Sequence, residues 1–528
     1  MSAASTRSVT PSAREMEVLI VGAGFGGIAA AIELQRHGFE NLTILDAASD
    51  LGGTWFHNSY PGAACDVASH LYSFSYAQRR DWSRLCSLQP EILSYLKGVA
   101  REHGVDRHAV LDAAVESCRW DEQRARWTVA TADGRRFESD ALVLATGQLN
   151  QPALPRVPGL ESFAGRAFHS AHWDHDYDLR GKRVAVIGTG ASAVQFLPDV
   201  ADQVAKLTVF QRTGNWFMPR KNRPYPRAIK ALIEHVPGVQ ALRRRFFFQY
   251  CEAITVAIRH PRTAGRLAHA RSALFMRWQL RDPELRRRVW PDYTFGCKRV
   301  LFSSHYLPAL ARANVELVAE PITRVTSTGV QSADGTLHEV DCIIYGTGFK
   351  AADFMFPMEV SGVDGRSLRE DWAEGAHAHL GMTVPGYPSL FILYGPNTNT
   401  SGGSILVYLE AQAAYVRQAL EQVRDRRAAA IEVRSEVEAA SDRALQARFG
   451  GTAWTACDSW YRDADGRIVA NWPGYMREYL QATRTLDVNE FTFVDAPDGA
   501  TSTAAELTLA TSPSGSSDRS ARQSKGTP

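Results

Sequence analysis

Nowhere in this chain of 528 residues do two cysteines stand at C-x-x-C spacing. The seven present (65, 86, 118, 251, 297, 342 and 457) are scattered and odd in number, which argues against a zinc ribbon and against a redox-active dithiol. Scattered thiols point instead to a reducing compartment, and the chain reads as cytoplasmic. Charge excess is also missing. Lys and Arg total 59 against 57 Asp and Glu, a net of +2, so no overall basic surplus would neutralise a nucleic-acid backbone. Long apolar runs are absent as well. ALVLA at 141 and the stretch from Ile254 to Ile258 are far too short to span a bilayer. The opening MSAASTRSVTPSAR lacks the apolar core of a secretory signal. What remains is 45% apolar and 22% charged, the composition of an ordinary globular protein with room for two or three domains. Residues 1–14 and 498–528, rich in Ser, Thr, Ala and Gly, are expected to be disordered tails.

Two glycine-rich turns carry the first positive information. EVLIVGAGFGGIAAAIELQRHGFENLTILDAA, residues 17–48, runs apolar strand, glycine turn, Ala-rich helix, then a second strand ending in Asp46. Gly22 allows a tight turn, Gly24 lets the backbone approach a pyrophosphate, and Gly27 lets the helix pack on the strand. The free N–H groups at the helix start would hold the phosphates. Asp46 follows Gly22 by 24 residues and is placed to accept from a ribose 2′-hydroxyl.

KRVAVIGTGASAVQFLPDVADQVAKLTVFQRTGNW, residues 182–216, repeats that order with Gly188 and Gly190, then Ala191 and Ser192 opening the helix, and Ala193 in place of the third glycine. Arg212 stands at the same 24-residue offset from Gly188, followed by Thr213, with no acid. An acid suits a free 2′-hydroxyl and an arginine suits a 2′-phosphate, although an exposed Arg past a strand end is also common. The first site therefore reads as FAD or NAD and the second as NADP, and one of each suggests a flavoprotein reduced by NADPH.

DALVLATG (140–147) and DCIIYGTGF (341–349) each read as an apolar strand ending in a Thr-Gly turn, suited to a chain crossing between two such domains. The expected architecture is α/β, with two Rossmann-like dinucleotide-binding domains, for FAD and NADP, and a helical insertion. The expected segments are 15–150 (FAD), 151–219 (NADP), 220–290 (the insertion), 291–325 (NADP) and 326–497 (FAD). A helix starting near Ser401 would aim its N-terminus at the flavin pyrimidine.

FAGRAFHSAHWD, residues 163–174, is similar to the Baeyer–Villiger monooxygenase fingerprint F-x-G-x-x-x-H-x-x-x-W followed by Pro or Asp. GGTWFHNSYPGAACD, residues 52–66, resembles the second signature of that family at every specified position. The resemblance implies FAD and NADPH as cofactors, with O2 and a ketone as substrates. It implies flavin contacts at Thr54, Trp55, Asp66 and Tyr72, and Val115 near the adenine. It makes His169 a hinge or positioning residue and Trp173 an anchor, both conformational. CKRVLFSSHYLPAL, from Cys297, resembles the family's K-R segment, so that Lys298 would join Arg212 and Thr213 on the 2′-phosphate. Arg299 would be the catalytic arginine, with Asp66 holding it.

On this reading oxygen adds at flavin C4a, and a fixed guanidinium favours the peroxyflavin anion that attacks the ketone. The product is an ester or lactone. Sulfide or amine oxygenation by a neutral hydroperoxyflavin remains an alternative, as do a flavin reductase and a non-catalytic dinucleotide-binding protein. Ala64 stands where some members of the family carry Arg. Trp460, in a late segment that resembles another branch of the family, reads either as a lid over the nicotinamide or as a core residue. The insertion, with RRRFFFQY at 243–250, could wall a channel for a bulky apolar ketone, mediate self-association, or rest on a membrane surface.

Overall fold

A computed structural model describes residues 16–220, 222–400, 402–463 and 465–495, and both expected tails lie outside the described residues. Val18–Val21 and Ala141–Leu144 are apolar at every position because a central parallel strand is covered on both faces. They lie at the centre of an all-parallel sheet in the order Leu390–Ile392, Ala141–Leu144, Val18–Val21, Leu42–Leu45, Ala109–Val110. The helix Phe25–Arg36 covers this sheet and packs against the long helix Ile405–Arg426 through a shared core that includes Ile28, Leu409 and Val416. A smaller sheet of Glu359–Ser361, Val115–Asp121, Arg126–Thr131 and Arg136–Ser139 completes this first body.

The second body repeats the design. Its parallel sheet runs Val315–Val318, Lys206–Phe210, Arg183–Ile187, Cys342–Tyr345, Arg166–His169, with the helix Ala191–Ala201 following the second glycine turn. The insertion is helical, as expected, in the segments Arg227–His235, Val239–Arg259, Ala264–Gln279 and Pro283–Val289.

One expected boundary moves. The first body was expected to resume near residue 326, but Cys342–Tyr345 pairs with Arg183–Ile187 in the second sheet. The first body resumes only around Phe354, Met355 and Met358, which join the core of Trp120 and Trp127. The two Thr-Gly turns are nonetheless the crossings, because the next strand after each, Arg166–His169 and Glu359–Ser361, belongs to the other body. Ser401 is outside the described residues, and the helix expected near it starts at Ile405 after the cap residue Ser404.

The helix–strand contact explains the third glycine of the first turn. A β-carbon on Gly27 would stand 1.8 Å from the Gly22 carbonyl oxygen, a backbone atom that cannot yield. On Gly26 the nearest atom would be a Leu409 methyl at 3.4 Å. Gly27→Ala should therefore lower stability by about 1–3 kcal/mol or more, the usual cost of overpacking, and cost the protein its bound FAD. Gly26→Ala should be tolerated. Denaturant melts and flavin absorbance of the two purified variants test this, and equal behaviour would contradict it.

Candidate active site

The residues at both nucleotide sites fit the groups that the sequence implies. Gly22 and Gly188 have φ of +110° and +102°, and a β-carbon on either would strike the carbonyl of the facing strand end, at Ala145 or Gly346. Gly24 and Gly190 cap their helices without any side-chain hydrogen bond, so the first-turn amides stay open to a pyrophosphate. Gly53, at φ +53°, lies so close to Gly24 that a β-carbon on it would come within 2.9 Å of the Gly24 Cα. The Ala193 methyl, in place of the third glycine, lies 3.0 Å from where a Gly346 β-carbon would be, so Gly346 supplies the missing space.

Asp46 lies directly after its strand. Its carboxylate accepts from the Ala23 N–H at 2.6 Å and the Ala48 N–H at 2.8 Å, which fixes it against the glycine turn. Trp55 is buried on the short helix Thr54–His57 and donates its indole N–H to Tyr72 Oη at 3.1 Å. Tyr72 meets Phe25, the first residue of the glycine-rich helix, edge-on at 5.5 Å. Thr54 is exposed beside them, and Val115 is half-buried at the head of its strand.

At the second site Arg212 is exposed just past Lys206–Phe210, and Thr213 is half-buried. Lys298 sits over the Tyr293 ring at 5.0 Å. Among the described residues neither Arg212 nor Lys298 has a recorded carboxylate partner, as suits cations meant for a phosphate.

Asp66, in the first body, brings the chemistry together. Its Oδ2 accepts from Arg299 Nη2 at 2.9 Å and its Oδ1 from Arg220 Nη1 at 3.3 Å. Arg220 also donates from Nη2 to the Cys65 carbonyl at 2.7 Å. Both arginines come from the second body, at opposite ends of a two-stranded parallel ladder of Phe217–Met218 with Leu301–Phe302. Gln195, on the second glycine-rich helix, reaches the same loop. It donates to the Ala64 carbonyl at 3.0 Å and accepts from the Ala64 N–H at 3.1 Å and from Tyr60 Oη at 3.2 Å. Burial, the largest influence, pushes the Tyr60 hydroxyl up to about 12. Neither Arg220 nor Gln195 was expected, since a lone Arg and a lone Gln carry no spacing to mark them.

Arg299 leaves 44% of its side chain open and pairs with Asp66, while the ring hydroxyls of Tyr394 and Tyr461 act on its charge. Cofactor and substrate would reach it from this open side. Burial works against its charge, but the Asp66 carboxylate and the tyrosines outweigh it and raise its pKa. Burial likewise pushes Tyr394 up to about 12. Tyr394 and Asn397 hold left-handed backbone angles, φ +59° and +56°, in the turn that leads to the helix Ile405–Arg426, a strain that favours a functional turn.

Cysteine pairing departs from the expectation. Cys297 and Cys457 form a disulfide across 160 residues, tying the Lys298–Arg299 loop to the segment of Trp460. The remaining five cysteines are free and buried. Separation in sequence hid the pair. Trp460 is 39% exposed against the Tyr461 ring, which removes the core reading and leaves it free to cover a ligand.

The fingerprint loop lies on the edge strand of the second sheet. His169 is buried, accepts from the Ala171 N–H at Nδ1, and meets Phe349 of the crossing segment edge-on at 5.6 Å. Trp173 wedges between Phe168 and Phe196, each at 5.2 Å. Ser59 and His175 join the loop to the first body at 2.8 Å. These contacts suit hinge and anchor.

Two dinucleotide cradles with an Arg–Asp clamp at their junction define the class of NADPH-reduced flavoproteins, and the comparisons narrow it. Residues 19–236 match the family described as pyridine nucleotide-disulphide oxidoreductase. A Baeyer–Villiger monooxygenase of Pseudomonas aeruginosa is 39% identical over 498 residues, covering 94% of each chain. One from Streptomyces coelicolor is 41% identical over 480 residues, covering 90% of this chain and 92% of that one. The solved structure of an oxidized steroid monooxygenase bound to NADP superposes with a TM-score of 0.81 at 31% identity, over 91% of this chain and 99% of that one. The chain belongs to the Baeyer–Villiger monooxygenase family and is an NADPH-dependent flavoprotein monooxygenase.

The clamp makes an ordered prediction. Asp66→Asn leaves two guanidinium groups facing each other without a carboxylate, whereas Arg220→Met leaves Asp66 still paired with Arg299. Urea unfolding should show a loss of about 3–5 kcal/mol for Asp66→Asn and a smaller one for Arg220→Met. The reverse order would mean that the carboxylate is not what the two arginines share.

Proposed function

We propose that this protein inserts one atom of O2 beside the carbonyl of a bulky apolar ketone, giving an ester or lactone. The observation that carries the reading is the Arg299–Asp66 pair open to the cleft at 2.9 Å. The glycine turn at Gly22, Gly24 and Gly27, with Asp46, Trp55 and Tyr72, would hold FAD. The turn at Gly188 and Gly190, with Arg212, Thr213 and Lys298, would hold NADPH. Bound FAD would supply the activation of dioxygen, driven by electrons from NADPH.

The protein's own part is electrostatic. Arg299 stays charged at any working pH and spends only Nη2 on Asp66 among its recorded bonds, which leaves the rest of its fork for oxygen that bears negative charge. Asp66 orients it, and Arg220 and Gln195 orient Asp66 and its loop. Tyr394, neutral at working pH, donates to Asn399 Oδ1 at 2.9 Å and lines the same cleft without adding charge. Trp460 would cover the nicotinamide. The resemblance to structures named as steroid and cyclohexanone monooxygenases favours an apolar carbonyl substrate.

The test is turnover with NADPH, isotopically heavy dioxygen and ketones from cyclohexanone to a steroid ketone. One heavy oxygen should appear in an ester or lactone product. Hydrogen peroxide from every ketone, or oxygenation of sulfides alone, would contradict the reading. For the phosphate assignment, Arg212→Ala should weaken NADPH about 10- to 100-fold, the worth of a charge-assisted hydrogen bond, and leave NADH nearly unchanged. Equal losses for both cofactors in steady-state titrations would remove Arg212 from the phosphate.

A further inference from the structure

Charge is not spread evenly over this chain. Residues 220–290 hold 17 Lys and Arg against four Asp and Glu, so this stretch carries +13, and the remainder carries −11 within the net of +2. The same stretch holds nine of the 12 large apolar side chains exposed among the described residues. They fall at helical spacing on single faces: Ile229, Leu232 and Val236; Leu242, Phe246 and Tyr250; Leu267, Leu274 and Trp278. Their exposure runs from 39% to 76%. On the second and third helices the opposite faces hold the buried Cys251, Thr255, Ile258, Ala273 and Met276, so packing against the body does not explain the outward stripes there.

Acidic side chains offset only part of the positive charge there, and Arg259 pairs with Glu478 at 3.5 Å. Between 227 and 281, Glu234 is half-buried beside Lys230 at 3.5 Å, and Glu252 is buried, accepting from the Arg477 N–H. Arg245, Arg262, Arg266, Arg271, Arg277 and Arg281 are exposed, with no carboxylate partner recorded among the described residues. Arg271 lies within the third apolar stripe. No helix is long and apolar enough to cross a membrane among the described residues. Apolar side chains ringed by unpaired arginines are the composition of a surface that lies in a lipid headgroup layer, with the guanidiniums reaching the phosphates.

We propose that the outer faces of the helices Arg227–His235, Val239–Arg259 and Ala264–Gln279 form a docking surface for an anionic lipid bilayer, bound from one side. Residues 227–279, which carry this face, hold ten Lys and Arg against Glu234 and Glu252, so a second copy meeting it with its own would set like charge against like, which disfavours symmetric self-association.

The test uses the FAD-loaded protein and vesicles of phosphatidylcholine with or without phosphatidylglycerol. The protein should pellet at least about tenfold more with the anionic vesicles, and added salt should release it, since screening weakens attraction to the headgroups. Two sets of exposed substitutions separate the contributions: Phe246→Ser with Trp278→Ser, and Arg262→Glu with Arg266→Glu and Arg271→Glu. Each set should reduce vesicle binding at least about tenfold while NADPH oxidation with a dissolved ketone stays unchanged. Equal pelleting with neutral and anionic vesicles, or binding unaffected by both sets, would overturn the proposal. So would a change in sedimentation coefficient without vesicles, which would assign the face to a second copy.

Discussion

Asp66 is the point where the two bodies of this protein are held in one functional arrangement. Its carboxylate belongs to the first body, and the arginines on it, Arg299 and Arg220, belong to the second. The pair is partly buried, with Asp66 and Arg220 side chains each 12% exposed, so the cost of desolvation is offset only while all three groups stay in register. The short ladder of Phe217–Met218 with Leu301–Phe302 sets the spacing of the two arginines, and Gln195 fixes the backbone that carries the acid. A movement of one body against the other would therefore disturb the charge around Asp66 and Arg299.

The two nucleotide sites show one solution reached with different residues. In the first, Gly27 clears the Gly22 carbonyl and Gly22 approaches Ala145. In the second, Ala193 has taken the third place, and the facing strand end is Gly346 where the first body has Ala145. The acid and the arginine at matched offsets would then divide the two nucleotides by the charge at the 2′ position.

Much of this was legible in the sequence, and the reasons differ by element. Glycine turns, strand-end residues and both signatures are local patterns, so Gly22, Asp46, Gly188, Arg212 and the fingerprint could be read directly. The Arg299–Asp66 pair was reached only through the resemblance, because 233 residues separate its members. Arg220 was hidden at the start of an arginine-rich stretch, and Gln195 in the middle of a helix. The Cys297–Cys457 bond was invisible for the same reason of distance. Cys342–Tyr345 was placed in the wrong body because apolar parallel strands look alike in sequence, and only pairing tells which sheet one joins.

The central claim is that the charge of Arg299, held by Asp66, directs activated oxygen onto the carbonyl. Ester and hydrogen peroxide formed per NADPH consumed, measured for Arg299→Ala and Arg299→Lys, test it most directly. NADPH should still be consumed by both variants. Ester should fall by about 10² or more in the alanine variant, the scale of a lost oxyanion donor, with hydrogen peroxide taking its place. Lysine should recover little, because a point charge does not reproduce the planar fork. Ester at near the unmodified protein's yield from Arg299→Ala would contradict the account.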